Sequence, residues 1–272
     1  MIDSTGQLPE ACRTDHDVRN NSMPETLFDS TTQHMFADAM AAQIAASNAT
    51  DKTDSGDLAA GIIADLRTAP VSIGRKPDAG QTPTVTAHLP GLLEDMPATP
   101  LADAVGPFMD GLEWYQIFEG SEIPSSLASG LMAAQLIGGR GALFSRELLF
   151  GMFLLAPHVT YPLHQHAALE IYCVLSGAVA IRHGRSKPAR HLGPGEHSIT
   201  PPHQVHELRT GEAPCLITYA WTGDMTGENW WWTQSDDGHW YRQCWQRQPD
   251  ASWATAGSEP LTDAEIYRSG DG

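Results

Sequence analysis

The stretch HQHAALEIYCVLSG, running from His164 to Gly177, concentrates side chains that could bind a metal and move a proton. Read as one β-strand, its side chains alternate between two faces. His164, His166, Glu170 and Tyr172 then share one face, with the small Ala168 between them. Leu169, Ile171, Cys173 and Leu175 take the other face, which is apolar. Two imidazoles and a carboxylate are good ligands for a divalent transition metal such as Zn, Fe, Mn or Ni. A second cluster, GEHSITPPHQVHELRT, lies downstream, and its His206 could add a third imidazole from another strand. An isolated histidine is more often exposed or hydrogen-bonded than a ligand. The HxHxxxE spacing joined by a distant histidine on a β-rich chain favours metal binding instead.

Those side chains need a scaffold, and the chain changes texture to provide one. Thr32–Ser47 is rich in Ala and Met and reads as a helix. Asp57–Thr68 reads as a second helix, with Asp57 as its N-cap. Two more helical stretches are expected near Leu112–Phe118 and Ser125–Leu136. From Ala142 onward, short runs rich in β-branched, aromatic and aliphatic residues alternate with Gly- and Pro-containing turns. Short strands at this spacing predict an all-β sandwich or barrel. The expected division is a disordered N-terminus over 1–30, a helical part over 31–140, a β-barrel over 141–246 and a polar tail over 247–272. Three adjacent tryptophans, Trp230, Trp231 and Trp232, cannot all face one core, so some are expected at the barrel mouth or an oligomer interface.

The totals exclude several functions. A chain of 272 residues with 41% hydrophobic content can bury a sizeable core. A formal net charge of −17 repels nucleic acid and anionic membrane and favours cationic or zwitterionic small molecules and metal ions; it serves equally as a solubility feature of a saline habitat. Cys12, Cys173, Cys215 and Cys244 form no CxxC pair, so neither a disulfide framework nor a thiolate zinc site is indicated. That usage suits a reducing cytoplasm. No apolar run approaches the ~20 residues that span a bilayer.

The histidine spacing resembles that of the cupin superfamily, whose fold is a double-stranded β-helix or jelly-roll barrel. The first cupin motif, G(x)5HxH(x)3–4E(x)6G, is met by His164, His166, Glu170 and Gly177, with His158 at the first Gly position. The second, G(x)5PxG(x)2H(x)3N, is met by Gly195, Pro201 and His206, with His203 in place of Gly and Thr210 in place of Asn. Neither departure removes a ligand. The resemblance implies a divalent metal held by His164, His166, Glu170 and His206.

A narrower resemblance, carried by YPLHQHAALEIYCVLSG, PPHQVHELRTGEAPCLITYAWTGD and LEWYQIF, is to the cupin-type dimethylsulfoniopropionate lyases. It implies β-elimination to dimethyl sulfide and acrylate, with the metal on the substrate carboxylate and a tyrosine removing the α-proton. Tyr172 is favoured as that base, with Tyr161 as the other candidate; the remaining one would position substrate or touch the metal. The sulfonium carries a fixed positive charge, and aromatic faces attract cations. Trp114, Tyr115, Tyr219 and Trp221 are the expected substrate-binding wall. Asp224 is considered as an acceptor for a ligand imidazole, and His203 as a turn residue. The alternatives are another cupin enzyme, an Fe(II) dioxygenase or an isomerase, or a small-molecule-binding cupin. The helical part would either cap the barrel or mediate a homodimer.

Overall fold

A computed structural model describes residues 29–47, 55–74, 84–225, 228–247 and 253–271. The disorder expected for 1–30 lies outside these residues except at Asp29 and Ser30. The helices are α1 (Ser30–Ala46), α2 (Ser55–Thr68), α3 (Leu89–Glu94), α4 (Pro100–Val105), α5 (Ser125–Gly130) and α6 (Asp263–Asp271). The first strands are β1 (Ser72–Ile73), β2 (Tyr115–Gln116), β3 (Leu131–Ile137), β4 (Leu143–Phe144), β5 (Leu148–Leu155), β6 (Thr160–Gln165), β7 (Ala168–Gly177) and β8 (Val179–His183). They are followed by β9 (Arg190–Leu192), β10 (His197–Thr200), β11 (His206–Arg209), β12 (Cys215–Gly223), β13 (Asn229–Gln234), β14 (Trp240–Arg247) and β15 (Trp253–Pro260).

The strands form two sheets. One runs β1-β4-β3-β5-β12-β7-β10, with β2 also on β3; the other runs β15-β14-β13-β6-β11-β8-β9. Among the described residues the two sheets face each other as a jelly-roll sandwich rather than closing into one hydrogen-bonded ring. Their inner faces share an aromatic-rich core that includes Phe118, Phe153, Tyr161, Tyr172, Tyr219 and Trp231.

The helical part covers the outer face of the first sheet. α1 starts on Asp29, whose carboxylate accepts from the backbone N–H groups of Thr31 at 2.8 Å and Thr32 at 3.1 Å. It presents Gln33, Phe36, Met40 and Gln43 at helical spacing to the interior. Phe36 packs on Phe150 of β5 at 4.9 Å and on Phe108 at 5.4 Å. Burying Phe36 and Met40 completely contributes ~1.5–3 kcal/mol apiece. Gln43 also donates to the carbonyl of Gly195 at 2.6 Å, tying α1 to the turn that precedes β10. Asp57, expected as an N-cap, lies instead in the first turn of α2, where its charge meets the positive end of the helix.

The division along the chain differs from expectation in three places. The helix expected over Ser125–Leu136 stops at Gly130, and Leu131–Ile137 is a strand between β5 and β4. Leu, Met and Ala are good helix formers, but burial of nearly every residue of this segment within a sheet overrides propensity. Gly130 marks the switch: a Cβ there would stand 2.4 Å from Val159 Cγ2. Leu112–Phe118 holds the two-residue β2 rather than a helix. The polar segment after residue 247 adds β15 to the second sheet and ends in α6. No helix among the described residues is long and apolar enough to cross a membrane.

Alternation along β13 separates the three tryptophans. Trp231 faces the shared core, packing on Phe118 at 5.3 Å and Trp245 at 4.8 Å. Trp232 faces the other way, donating to Gln165 at 2.8 Å beside Leu163 and Leu261. Trp230 carries the Arg242 guanidinium over its ring at 4.9 Å.

Candidate metal centre

The stretch His164–Tyr172 is not one strand. β6 ends at Gln165 and β7 begins at Ala168, and the two strands belong to opposite sheets. His164 therefore looks across the interior from the second sheet, while Glu170 and Tyr172 look back from the first. His166 sits at the crossing. His206 opens β11 and pairs directly with His164. All four ligand positions expected from the motif converge, through two sheets instead of a single strand face.

A bulge completes the convergence. His206 pairs with His164 and Leu208 with Tyr161, so two steps on β11 match three on β6. The extra residue turns Tyr161 and His164 to the same side. Their rings stack at 3.7 Å with 17° between planes. Pro162 lies within the bulge, and its carbonyl accepts the His164 Nδ1 proton at 2.7 Å.

The other imidazoles are oriented in the same manner. His206 Nδ1 meets the Gln204 carbonyl at 2.9 Å, and His166 Nδ1 meets the Ala168 carbonyl at 3.1 Å. A carbonyl only accepts, so each Nδ1 carries the proton. With Nδ1 engaged outside, each ring turns its Nε2 inward. Burial, then the neighbouring His206 and His166, hold His164 well below the ordinary imidazole value and keep it neutral. The ligand nitrogens of the triad lie within 4.8 Å of one another, and all three residues are buried.

Glu170 closes the site. Its Oε2 lies 3.3 Å from His166 Nε2 and 3.2 Å from His206 Nε2. Its Oε1 accepts the indole N–H of Trp221, whose ring packs on His166 at 4.2 Å. Burial opposes ionisation of Glu170, but positive charge and donors at the Nε2 edges of His166 and His206 outweigh it and hold the carboxyl well below the usual range. Lone pairs facing a carboxylate need a cation between them. A proton on one ring would leave the buried His164 Nε2 without a partner. A metal ion satisfies all four groups. Donors bonded at ~2.1 Å to one ion stand ~3.0–3.4 Å apart, close to the Glu170–imidazole separations. These residues fit a first-row divalent ion with three nitrogens and one oxygen.

The expected tyrosines and aromatic wall fall into place unequally. Tyr172 is fully buried, and its hydroxyl lies toward the Glu170 carboxylate with no well-formed hydrogen bond. Burial, then the charge of Glu170, push its phenol well above the ordinary value. Tyr161 accepts from Asn229 Nδ2 at 3.2 Å, and burial raises its phenol as well. Trp221 is at the site, holding Glu170. Tyr219 pairs across the sheet with Tyr172 on the inner face. Tyr115 lies at the edge of the same core, but the Arg140 guanidinium covers its ring at 4.3 Å. Trp114 packs on the outer, helix-covered core and is not brought to the centre. Asp224 is exposed, and the carbonyls described above take the imidazole protons in its stead. Asn229, Phe153 and Gln135 join the site without a sequence signal, because they reach it only through strand pairing.

The two departures from the motif glycines have a backbone explanation. His158 and His203 are the non-glycine residues with positive φ among those described, at 59° and 61°. Glycine takes this left-handed conformation without penalty. Thr210, at the Asn position, donates to the Ala156 carbonyl at 2.6 Å and accepts from Val159 N–H at 3.0 Å. It thereby ties down the turn ahead of β6.

Comparison with known proteins bears on what this centre is for. The model of the dimethylsulfoniopropionate lyase family matches residues 59–217. A protein of Cereibacter sphaeroides assigned as the dimethylsulfoniopropionate lyase DddL is 33% identical over 144 residues, 51% of this chain and 59% of that protein. The dimethylsulfoniopropionate lyase DddQ of Ruegeria pomeroyi is 32% identical over 114 residues, 42% of this chain and 56% of that protein. The chain thus spans a little under three fifths of these relatives' lengths. The crystal structure of DddQ from Ruegeria pomeroyi superposes with a TM-score of 0.51 at 22% identity, covering 74% of this chain and 96% of that one, and shares the cupin-like fold. With the match running from α2 into β12 and taking in His164, His166, Glu170 and His206, the chain belongs to the dimethylsulfoniopropionate lyase family.

Proposed function

We propose that this chain is a metal-dependent lyase that cleaves dimethylsulfoniopropionate by β-elimination into dimethyl sulfide and acrylate. The observation that carries the reading is a buried cluster of three histidines and Glu170, with the buried Tyr172 hydroxyl beside that carboxylate. Family membership supplies the substrate class.

His164, His166, Glu170 and His206 would hold the ion. When bound, the ion supplies a Lewis acid for the substrate carboxylate and a positive charge that favours nearby phenolate. The rest falls to the chain. Tyr172, two residues from Glu170 on the same face of β7, takes the α-proton on its phenolate oxygen. In the metal-free protein that phenol is held in its protonated form, so the base is available only in the loaded centre. The electron pair of the broken C–H bond forms the new C=C bond, and the β-carbon–sulfur pair leaves with dimethyl sulfide. Sulfonium needs no acid to depart. Tyr161, stacked on His164 and held by Asn229, fixes the imidazole and walls the substrate. The buried interior excludes water, which strengthens each of these electrostatic interactions.

Headspace gas chromatography of protein loaded with Zn, Fe, Mn or Ni and given dimethylsulfoniopropionate tests the reading. The expected result is dimethyl sulfide with equimolar acrylate. Folded, metal-loaded protein that releases neither would overturn it.

A further inference from the structure

Trp221 was expected to offer its ring face to a sulfonium. Its place in the sheet gives the indole N–H a different task. Trp221 stands directly across from Glu170 in the pairing of β12 with β7, where opposed Cβ atoms are ~5 Å apart. One face of its ring lies on His166 at 4.2 Å with 31° between planes, so that face is taken. Its N–H ends on Glu170 Oε1. An indole N–H only donates, so Trp221 acts on the centre through this bond and not as a ligand.

The two oxygens of Glu170 therefore have different partners. Oε2 faces the imidazoles, 3.3 Å from His166 Nε2 and 3.2 Å from His206 Nε2, and is the oxygen placed to join them on an ion. Oε1 is turned to the indole. Thr200, the neighbour of Glu170 on its other flank, is engaged with His183 Nε2 at 3.0 Å. A carboxylate bonds a metal through one oxygen or through both. A hydrogen bond to an ionised oxygen is roughly twice as strong as a neutral one, and the complete burial of Glu170 keeps water from replacing it. Held at Oε1, the carboxylate offers a single bond. Three imidazoles and one oxygen make four ligands. A second carboxylate oxygen would fill the position into which such an ion expands when it takes on substrate.

We propose that Trp221 is a positioning residue that limits Glu170 to one metal bond and so reserves a coordination position for the carboxylate of a short-chain acid. The identity of that acid rests on the lyase reading above. The restraint comes from the neighbouring strand of the same sheet, so it is in place before substrate arrives.

Cobalt(II) loaded into the centre reports its own coordination by visible absorption, without turnover. Trp221→Phe keeps a ring on His166 and removes the donor, whereas Trp221→Leu removes both. Each protein, in excess cobalt and with its bound cobalt measured, is titrated with propionate. Wild type should give a saturable spectral change. Both variants should show the weaker bands of higher coordination before propionate is added, and should bind propionate about 10-fold or more weakly. A Trp221→Phe variant that keeps either the wild-type bands or the wild-type propionate affinity overturns the proposal, and so do wild-type bands that propionate does not move. The expected shifts in a protein that releases no dimethyl sulfide would leave the role of Trp221 standing and remove only the lyase reading.

Discussion

The carbonyls of Pro162, Ala168 and Gln204 each take a ring N–H, which commits the Nε2 atoms of His164, His166 and His206 to the interior. Such outer contacts orient the ligands, and losing one typically costs ~10- to 100-fold in metal affinity. Trp221 does the same for Glu170 through its indole N–H. Trp221→Phe keeps a ring on His166 but removes that donor, and metal affinity should fall ~10-fold or more, read by competition with a chelator. His203 is exposed on its turn and held at φ 61°. The left-handed conformation costs a non-glycine residue ~1–2 kcal/mol, and glycine's greater freedom when unfolded returns ~0.5–1 kcal/mol of that. His203→Gly should therefore raise the stability to urea by ~0.5 kcal/mol.

At the scale of elements, the site is a product of two sheets. The types of ligand and their spacing were legible in the sequence, and so was the apolar outer face of β7, where Ile171, Cys173 and Leu175 pack beneath the helices. The path of the chain between them was not. Alternation alone puts His164 and Tyr172 on one strand face, but the chain crosses between sheets at His166–Ala167, and no local signal marks it. The stacking of Tyr161 on His164 likewise depends on a bulge that only the pairing with β11 reveals. Gln135 was hidden inside a segment whose Leu, Met and Ala read as helix. The C-terminal strand also has a positioning task. Trp253 of β15 donates from its indole to the Ile117 carbonyl and from its backbone to the Glu119 carbonyl, both at 2.6 Å. It packs on Phe118, which packs on Tyr161. Trp253→Ala should lower unfolding stability by ~2 kcal/mol in urea and open the chain near Glu119 to proteolysis, whereas Trp253→Phe should lose less.

For the whole molecule, folding is linked to the protonation of its centre. His164 is depressed from 6.5 in the folded protein, so as pH falls the unfolded chain takes up that proton first. The stability of metal-free protein should be full above about pH 6.5 and decline below it, with His197, lowered by its burial and by Arg190, acting in the same direction. Glu170 is lowered from 4.5, which adds a further loss below about pH 4.5. Urea midpoints at pH 7.5, 5.5 and 4 check both steps, and bound metal should dissociate as the first is crossed. The measurement that bears most directly on the central claim is the rate of dimethyl sulfide release by Tyr172→Phe beside wild type, at equal and measured metal content. The account predicts full metal occupancy with a 10²- to 10⁴-fold lower rate, the usual loss when a general base is removed. A variant that keeps both its metal and its rate would contradict it.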